Sequence, residues 1–143
     1  MSPVKKTTVL LVDDNAAVRR GLRRLLESEG HSKVVGQARN GREAVKMART
    51  LRPDVILMDI AMPVLNGLEA TRQILVANPA AKVLILSVHC DDEYIERMIA
   101  VGAAGFLEKL TAAELLPTAI REVAKGNLFF SPAIAKRMAH RKK

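Results

Sequence analysis

The sequence predicts an α/β protein: a doubly wound, five-stranded parallel sheet with helices on both faces. Three observations carry that expectation. The runs Val9-Leu10-Leu11-Val12, Val55-Ile56-Leu57-Met58 and Val83-Leu84-Ile85-Leu86 are apolar without alternation, as strands buried on both faces must be. Segments of helical period lie between them. The two kinds of segment alternate, β then α, five times.

In chain order, the first apolar run is followed by Val18, Leu22, Leu25 and Leu26 as one helical stripe, with Arg19, Arg20, Arg23 and Arg24 on the other face. Residues 33–38 form a weaker strand. Ala44, Val45, Ala48 and Leu51 make the second stripe, ended by Pro53. After the second apolar run, Leu68, Thr71, Ile74 and Leu75 make the third, stopped near Pro79. After the third run, Tyr94, Ile95, Met98 and Ile99 make the fourth, with Gly102 as its stop. Residues 105–107 form the fifth strand, and Leu115, Leu116, Ala119, Ile120 and Val123 the last stripe. Pro117 is tolerated if that helix starts near Ala113 or Glu114. Right-handed crossovers and five strands favour the flavodoxin-like order 2-1-3-4-5. The pattern changes after Gly126, so residues 6–126 are read as one domain. Residues 127–143 are read as a basic linker or helical tail, with Ser131-Pro132 opening a short helix.

The chain has 143 residues, the size of one ordinary domain, and its 49% hydrophobic and 27% charged content suits a packed core. No apolar stretch approaches the ~18 residues that cross a bilayer, and no apolar leader opens the sequence. The single cysteine, Cys90, excludes an internal disulfide and fits a reducing cytoplasm. The net charge of +8 suggests a nucleic-acid partner until it is located. Residues 1–126 carry only +3, and residues 127–143 carry +5 with no acid, so the excess belongs to the tail.

Sheets of this kind collect function at the carboxyl ends of their strands. There the sequence places Asp13-Asp14 after strand one, Asp59 after strand three, Ser87 after strand four and Lys109 after strand five. Carboxylates ~4 Å apart repel by about 4 kcal/mol per pair at an effective dielectric near 20, so the cluster calls for a cation. All-oxygen ligands with room for water suit Mg2+ better than zinc. Phosphoryl transfer needs positioning, charge neutralisation and a nucleophile, and Asp59 can be the nucleophile, because a carboxylate forms an acyl phosphate.

Asp59-Ile60-Ala61-Met62-Pro63-Val64-Leu65-Asn66-Gly67 resembles the phosphorylation segment of two-component response regulator receivers. The Asp13-Asp14 pair, Ser87, and the run from Gly102 to Lys109 resemble the remaining motifs of that family, in order over roughly residues 7–125. The resemblance implies that Asp14 ligates Mg2+ directly and Asp13 through water, with Asp59 both ligand and phosphoacceptor and the backbone carbonyl of Ala61 a further ligand. It implies that Ser87 and Lys109 hold the phosphoryl oxygens and that Phe106 is the switch aromatic, turning inward on activation. The implied donor is a histidine kinase or phosphotransfer protein. The chain then catalyses only its own phosphorylation and dephosphorylation, and a homodimer is compatible with this. Leu110 stands where many receivers have proline. That departure, with residues 119–132, is similar to the NarL/FixJ branch, whose members bind DNA through a helix-turn-helix domain absent from this chain.

Plainer readings stand beside these. Asp13 and Asp14 can serve as caps of the following helix, Phe106 as core, His89 and Cys90 as loop residues, and the four arginines as a solvated face or a docking surface for the phosphodonor. Beside transcriptional output stands a stand-alone receiver that acts through protein partners, and two other function classes remain: a protein-binding module that works without phosphorylation, and an Asp-nucleophile phosphohydrolase. The second usually spaces its first acids Asp-x-Asp, whereas these two are adjacent.

Overall fold

Strands form where the apolar runs predict them. The computed structural model describes residues 5–60, 62, 64–88, 91–109 and 112–141. Its first five strands are β1 (Thr7–Val12), β2 (Ser32–Ala38), β3 (Val55–Met58), β4 (Val83–Ser87) and β5 (Gly105–Glu108). Each is followed by a helix: α1 (Ala16–Ser28), α2 (Gly41–Leu51), α3 (Gly67–Ala77), α4 (Asp92–Ala100) and α5 (Ala112–Ala124). All pairings are parallel, and the order is β2-β1-β3-β4-β5, the doubly wound arrangement expected, with one more strand beyond β5.

The missing alternation has its explanation in two cores. Leu10, Val12, Ile56, Met58 and Ile85 pack on one face with Ala44, Ala70, Ile74, Ile95 and Met98 from α2, α3 and α4. Val9, Leu11, Val55, Leu57, Leu84 and Leu86 pack on the other with Leu26 of α1 and Leu116, Ile120 and Val123 of α5. Successive residues of a strand face opposite sides, so a sheet covered twice must be apolar at every position.

Asn15, Asn40, Asn66 and Asp91 cap the N-termini of α1 to α4, each accepting backbone N–H bonds from the first turn. The helix after β5, α5, begins at Ala112, slightly earlier than its stripe suggested, so Pro117 is its sixth residue. The hydrogen bond that Pro117 cannot donate would go to Ala113, an exposed residue whose carbonyl water can reach.

Beyond Gly126 the chain adds β6 (Phe129–Phe130) beside β5 and then α6 (Pro132–Arg141). Gly105 pairs with Phe129 and Phe106 with Phe130, and the Ser131 N–H donates to the Phe106 carbonyl at 3.2 Å. Ile134 is fully buried in the cluster that holds Phe106, and Arg137 bonds Asp92 at the start of α4 at 2.7 Å. We expect Ile134→Ala to lower the unfolding free energy by about 2–5 kcal/mol, the cost of a large-to-small core change. Urea denaturation measures this, and a change within ~0.5 kcal/mol, the size of a surface effect, would mean that α6 does not stay docked.

Candidate functional site

The parallel register brings the strand ends together at one edge of the sheet. Val12 lies beside Met58, so the next residues, Asp13 and Asp59, emerge side by side, and the Asp59 N–H donates to the Val12 carbonyl at 3.0 Å. Ser87 pairs with Glu108, and the Lys109 N–H donates to the Ser87 carbonyl at 3.0 Å. Backbone pairing alone thus gathers residues that are dozens of positions apart in sequence.

Asp13, Asp14 and Asp59 each offer a carboxylate oxygen within 4.8 Å of the others'. Asp13 and Asp59 are buried, at 2% and 5% exposure, while Asp14 is open to solvent. The Lys109 ammonium reaches both buried acids, 2.8 Å from Asp13 and 3.5 Å from Asp59. Burial alone would lower the Lys109 pKa, but the hydrogen bond to Asp13 and the charges of Asp59 and Asp13 outweigh it, so the pKa is raised. Among the described residues the three acids outnumber Lys109 and the Arg19 guanidinium beside the loop, and the cluster keeps an excess of negative charge. Hard oxygen donors, close spacing and one solvent-facing ligand fit a divalent cation with water in its remaining positions. The three carboxylates are therefore able to coordinate a divalent metal ion.

Ser87 ends β4 with no solvent exposure, adjacent in the sheet to the strand that leads to Lys109. Phe106, one strand over in β5, is also fully buried, so its ring already faces the core, in the cluster that includes Ile134 of α6. The Ala61 carbonyl, His89, Cys90 and Leu110, all named from the sequence, lie outside the described residues.

Capping of α1 falls to Asn15, whose side chain accepts from Ala17 and Val18, and neither Asp13 nor Asp14 is used as the cap. Asp13 instead accepts the Asn15 N–H at 2.9 Å. Three structural contributions escaped the sequence reading. Arg19 is half-buried, turned from its exposed neighbours to the Asp13 carbonyl. Gly67 lets α3 start against the backbone of Asp59 and Ile60. Val64, in the loop after Asp59, has φ 70°, a strained conformation for a β-branched residue. A glycine at the head of α3 was legible as a signal for close approach; the other two depend on folded neighbours.

A family model described as the response regulator receiver domain matches residues 9–121. Over 131 residues the chain is 44% identical to the response regulator GacA of Pseudomonas aeruginosa, covering 92% of this chain and 61% of that protein. It is equally similar to the response regulator UvrY of Escherichia coli, of which it covers 60%. The chain thus spans about three-fifths of the length of these curated relatives. Among solved structures, a two-component response regulator of the LuxR family from Aurantimonas superposes with TM-score 0.92 at 33% identity, covering 96% of this chain and 99% of that one. The receiver domain of a NarL response regulator from Mycobacterium tuberculosis superposes with TM-score 0.82 at 31% identity, over 86% of this chain and 99% of that one.

Proposed function

This chain belongs to the response regulator receiver domain family, and from that premise we propose that Asp59 is its phosphoacceptor, charged by a histidine kinase or phosphotransfer protein. One observation supports the assignment above the rest: two buried acids and a third beside them share an edge with a lysine that reaches both buried ones. Of the two buried acids, Asp13 has the closer contact with Lys109 and also accepts the Asn15 N–H, while Asp59 meets the ammonium at the longer distance. Drawing Asp59 toward a donor therefore gives up less of the lysine's attraction.

In the proposed reaction a carboxylate oxygen of Asp59 attacks the phosphorus of a phosphohistidine in line. The P–N bond breaks, its electron pair leaves on the donor imidazole, and an acyl phosphate remains on Asp59. Asp13, Asp14 and Asp59, with the Ala61 carbonyl, would hold Mg2+, which supplies the charge neutralisation that phosphoryl transfer requires. Lys109 adds a second positive charge for the phosphoryl oxygens, and the Ser87 hydroxyl a hydrogen bond.

The product carries about −1.5 to −2 charges at the sheet edge. Converting a mostly inactive population to a mostly active one takes about 5.5 kcal/mol of differential contact. A metal, a lysine and a hydroxyl together suit that scale, and one charged contact does not. Phe106 would carry the change from Ser87 and Lys109 to α4, β5 and α5. Residues 6–126 would then do the chemistry and residues 127–143 transmit its result. Where a helix-turn-helix domain follows the receiver, the output would be control of transcription; a stand-alone receiver would act through protein partners instead, and in either case a cytoplasmic setting and a homodimer would suit it. Among the described residues, no helix is long and apolar enough to cross a membrane.

The test is acid-quenched mass spectrometry after incubation with acetyl phosphate and Mg2+. A single phosphoryl adduct, mapped to the peptide containing Asp59 and absent when EDTA replaces Mg2+, is the expected result. An adduct mapped elsewhere, or none, would overturn the proposal, and steady turnover of small phosphoesters would turn it toward hydrolysis.

A further inference from the structure

The geometry points to Arg19 as the positioning residue that orients Asp14 toward the cation. Asp13 is held through its own carboxylate, by Lys109 at 2.8 Å and by the Asn15 N–H at 2.9 Å. Asp14 has no such support: its carboxylate is exposed, and among the described residues it has no hydrogen-bond or ion-pair partner. What aims it is the backbone. The Asp13 carbonyl and the Asp14 N–H belong to one planar peptide unit, so whatever fixes that carbonyl fixes the plane from which the Asp14 side chain departs.

The group that fixes it is the Arg19 guanidinium. Its Nη1 donates to the Asp13 carbonyl at 2.6 Å, and its Nε donates to Oε1 of Gln37 at 3.1 Å. Gln37 lies in β2, whose backbone also takes part, because the Asp13 N–H donates to the Ala38 carbonyl at 3.1 Å. The planar fork therefore ties the first turn of α1, the acidic loop and the neighbouring strand into one frame. A lysine could carry the charge here but could not reproduce two donors in fixed relation. Groups behind metal ligands commonly change metal affinity 10–100-fold when removed.

Sign separates this role from the obvious alternatives. The Arg19 charge opposes a cation at the cluster, so if charge were its only contribution, Arg19→Ala would tighten Mg2+ binding. If it merely tied α1 to β2, Arg19→Ala would lower stability and leave affinity unchanged. Positioning requires weaker binding despite the removal of a repelling charge.

The inference rests on the proposed Mg2+ site, and calorimetric titration of the full chain with MgCl2 tests it. We expect Arg19→Ala to bind about tenfold more weakly, Arg19→Lys to bind nearly as weakly although its charge is kept, and Gln37→Leu to show a smaller loss. In the metal-free protein, hydrogen exchange of the Asn15 amide should quicken in Arg19→Lys, while urea denaturation reports any change in overall stability. Affinity equal to or tighter than the parent's in Arg19→Lys and Gln37→Leu would overturn the inference, and these two variants decide it should Arg19→Ala fail to fold. A parent chain that binds no Mg2+ would instead overturn the metal reading on which it rests.

Discussion

Asp59→Asn is expected to abolish the phosphoryl adduct completely and, in the same protein, to make the metal-free fold more stable. The first effect follows from the nucleophile, since a neutral amide cannot form the acyl phosphate. The second follows from the charges. Three carboxylates with oxygens within 4.8 Å of one another repel by about 3–4 kcal/mol per pair at an effective dielectric near 20. Neutralising Asp59 removes two of those repulsions together with the attractions it makes, the 3.5 Å contact to Lys109 among them. Solvent around the exposed Asp14 screens part of the balance, so the net gain should be about 1–3 kcal/mol. Urea denaturation in EDTA measures it. Repeating the measurement with Mg2+ should stabilise the parent, by linkage to binding, and leave Asp59→Asn nearly unmoved. A variant less stable than the parent in EDTA would mean that Lys109 already outweighs the repulsion and that the cluster does not require a cation.

Gly67→Ala should damage the same site without touching any charge. A Cβ built at Gly67 falls on the carbonyl of Asp59 and lies 2.7 Å from the Cα of Ile60. These are backbone atoms of the loop that carries the acceptor and cannot step aside as a side-chain tip can. Overpacking of this kind costs about 1–3 kcal/mol or more, and displacing a reacting group by ~1 Å costs about 100-fold in rate. Both should appear, as a lower urea midpoint and as slower labelling by acetyl phosphate. Gly21→Ala is the control. It lies inside α1 with nothing within 4 Å of the added carbon, so it should stabilise the fold by about 0.5–1 kcal/mol and leave labelling unchanged. Equal behaviour of the two variants would remove the argument from close approach.

The positions of β1, β3 and β4, the places of the five helices that follow the strands, and the meeting of Asp13, Asp14, Asp59, Ser87 and Lys109 at one edge were all legible in the sequence, although of the apolar stripes Leu51 in α2 and Tyr94 and Ile99 in α4 are exposed rather than buried. The reason is that burial on two faces writes itself into every residue of a strand, and parallel order forces all strand ends to the same side. Other features depended on the folded chain. Whether Asn15 or an aspartate caps α1, which acid Lys109 holds more closely, and that Arg19 leaves a row of solvated arginines to hold the Asp13 carbonyl are choices between side chains of equal local propensity. A two-residue strand such as β6 is too short to carry a periodicity to read, and the packing of Phe129 and Phe130 on the two cores and of Ile134 in the cluster of Phe106 exists only once β5 offers an edge. Pattern decides what must be buried; which polar atom takes which partner is decided by distance, and distance arises only in three dimensions.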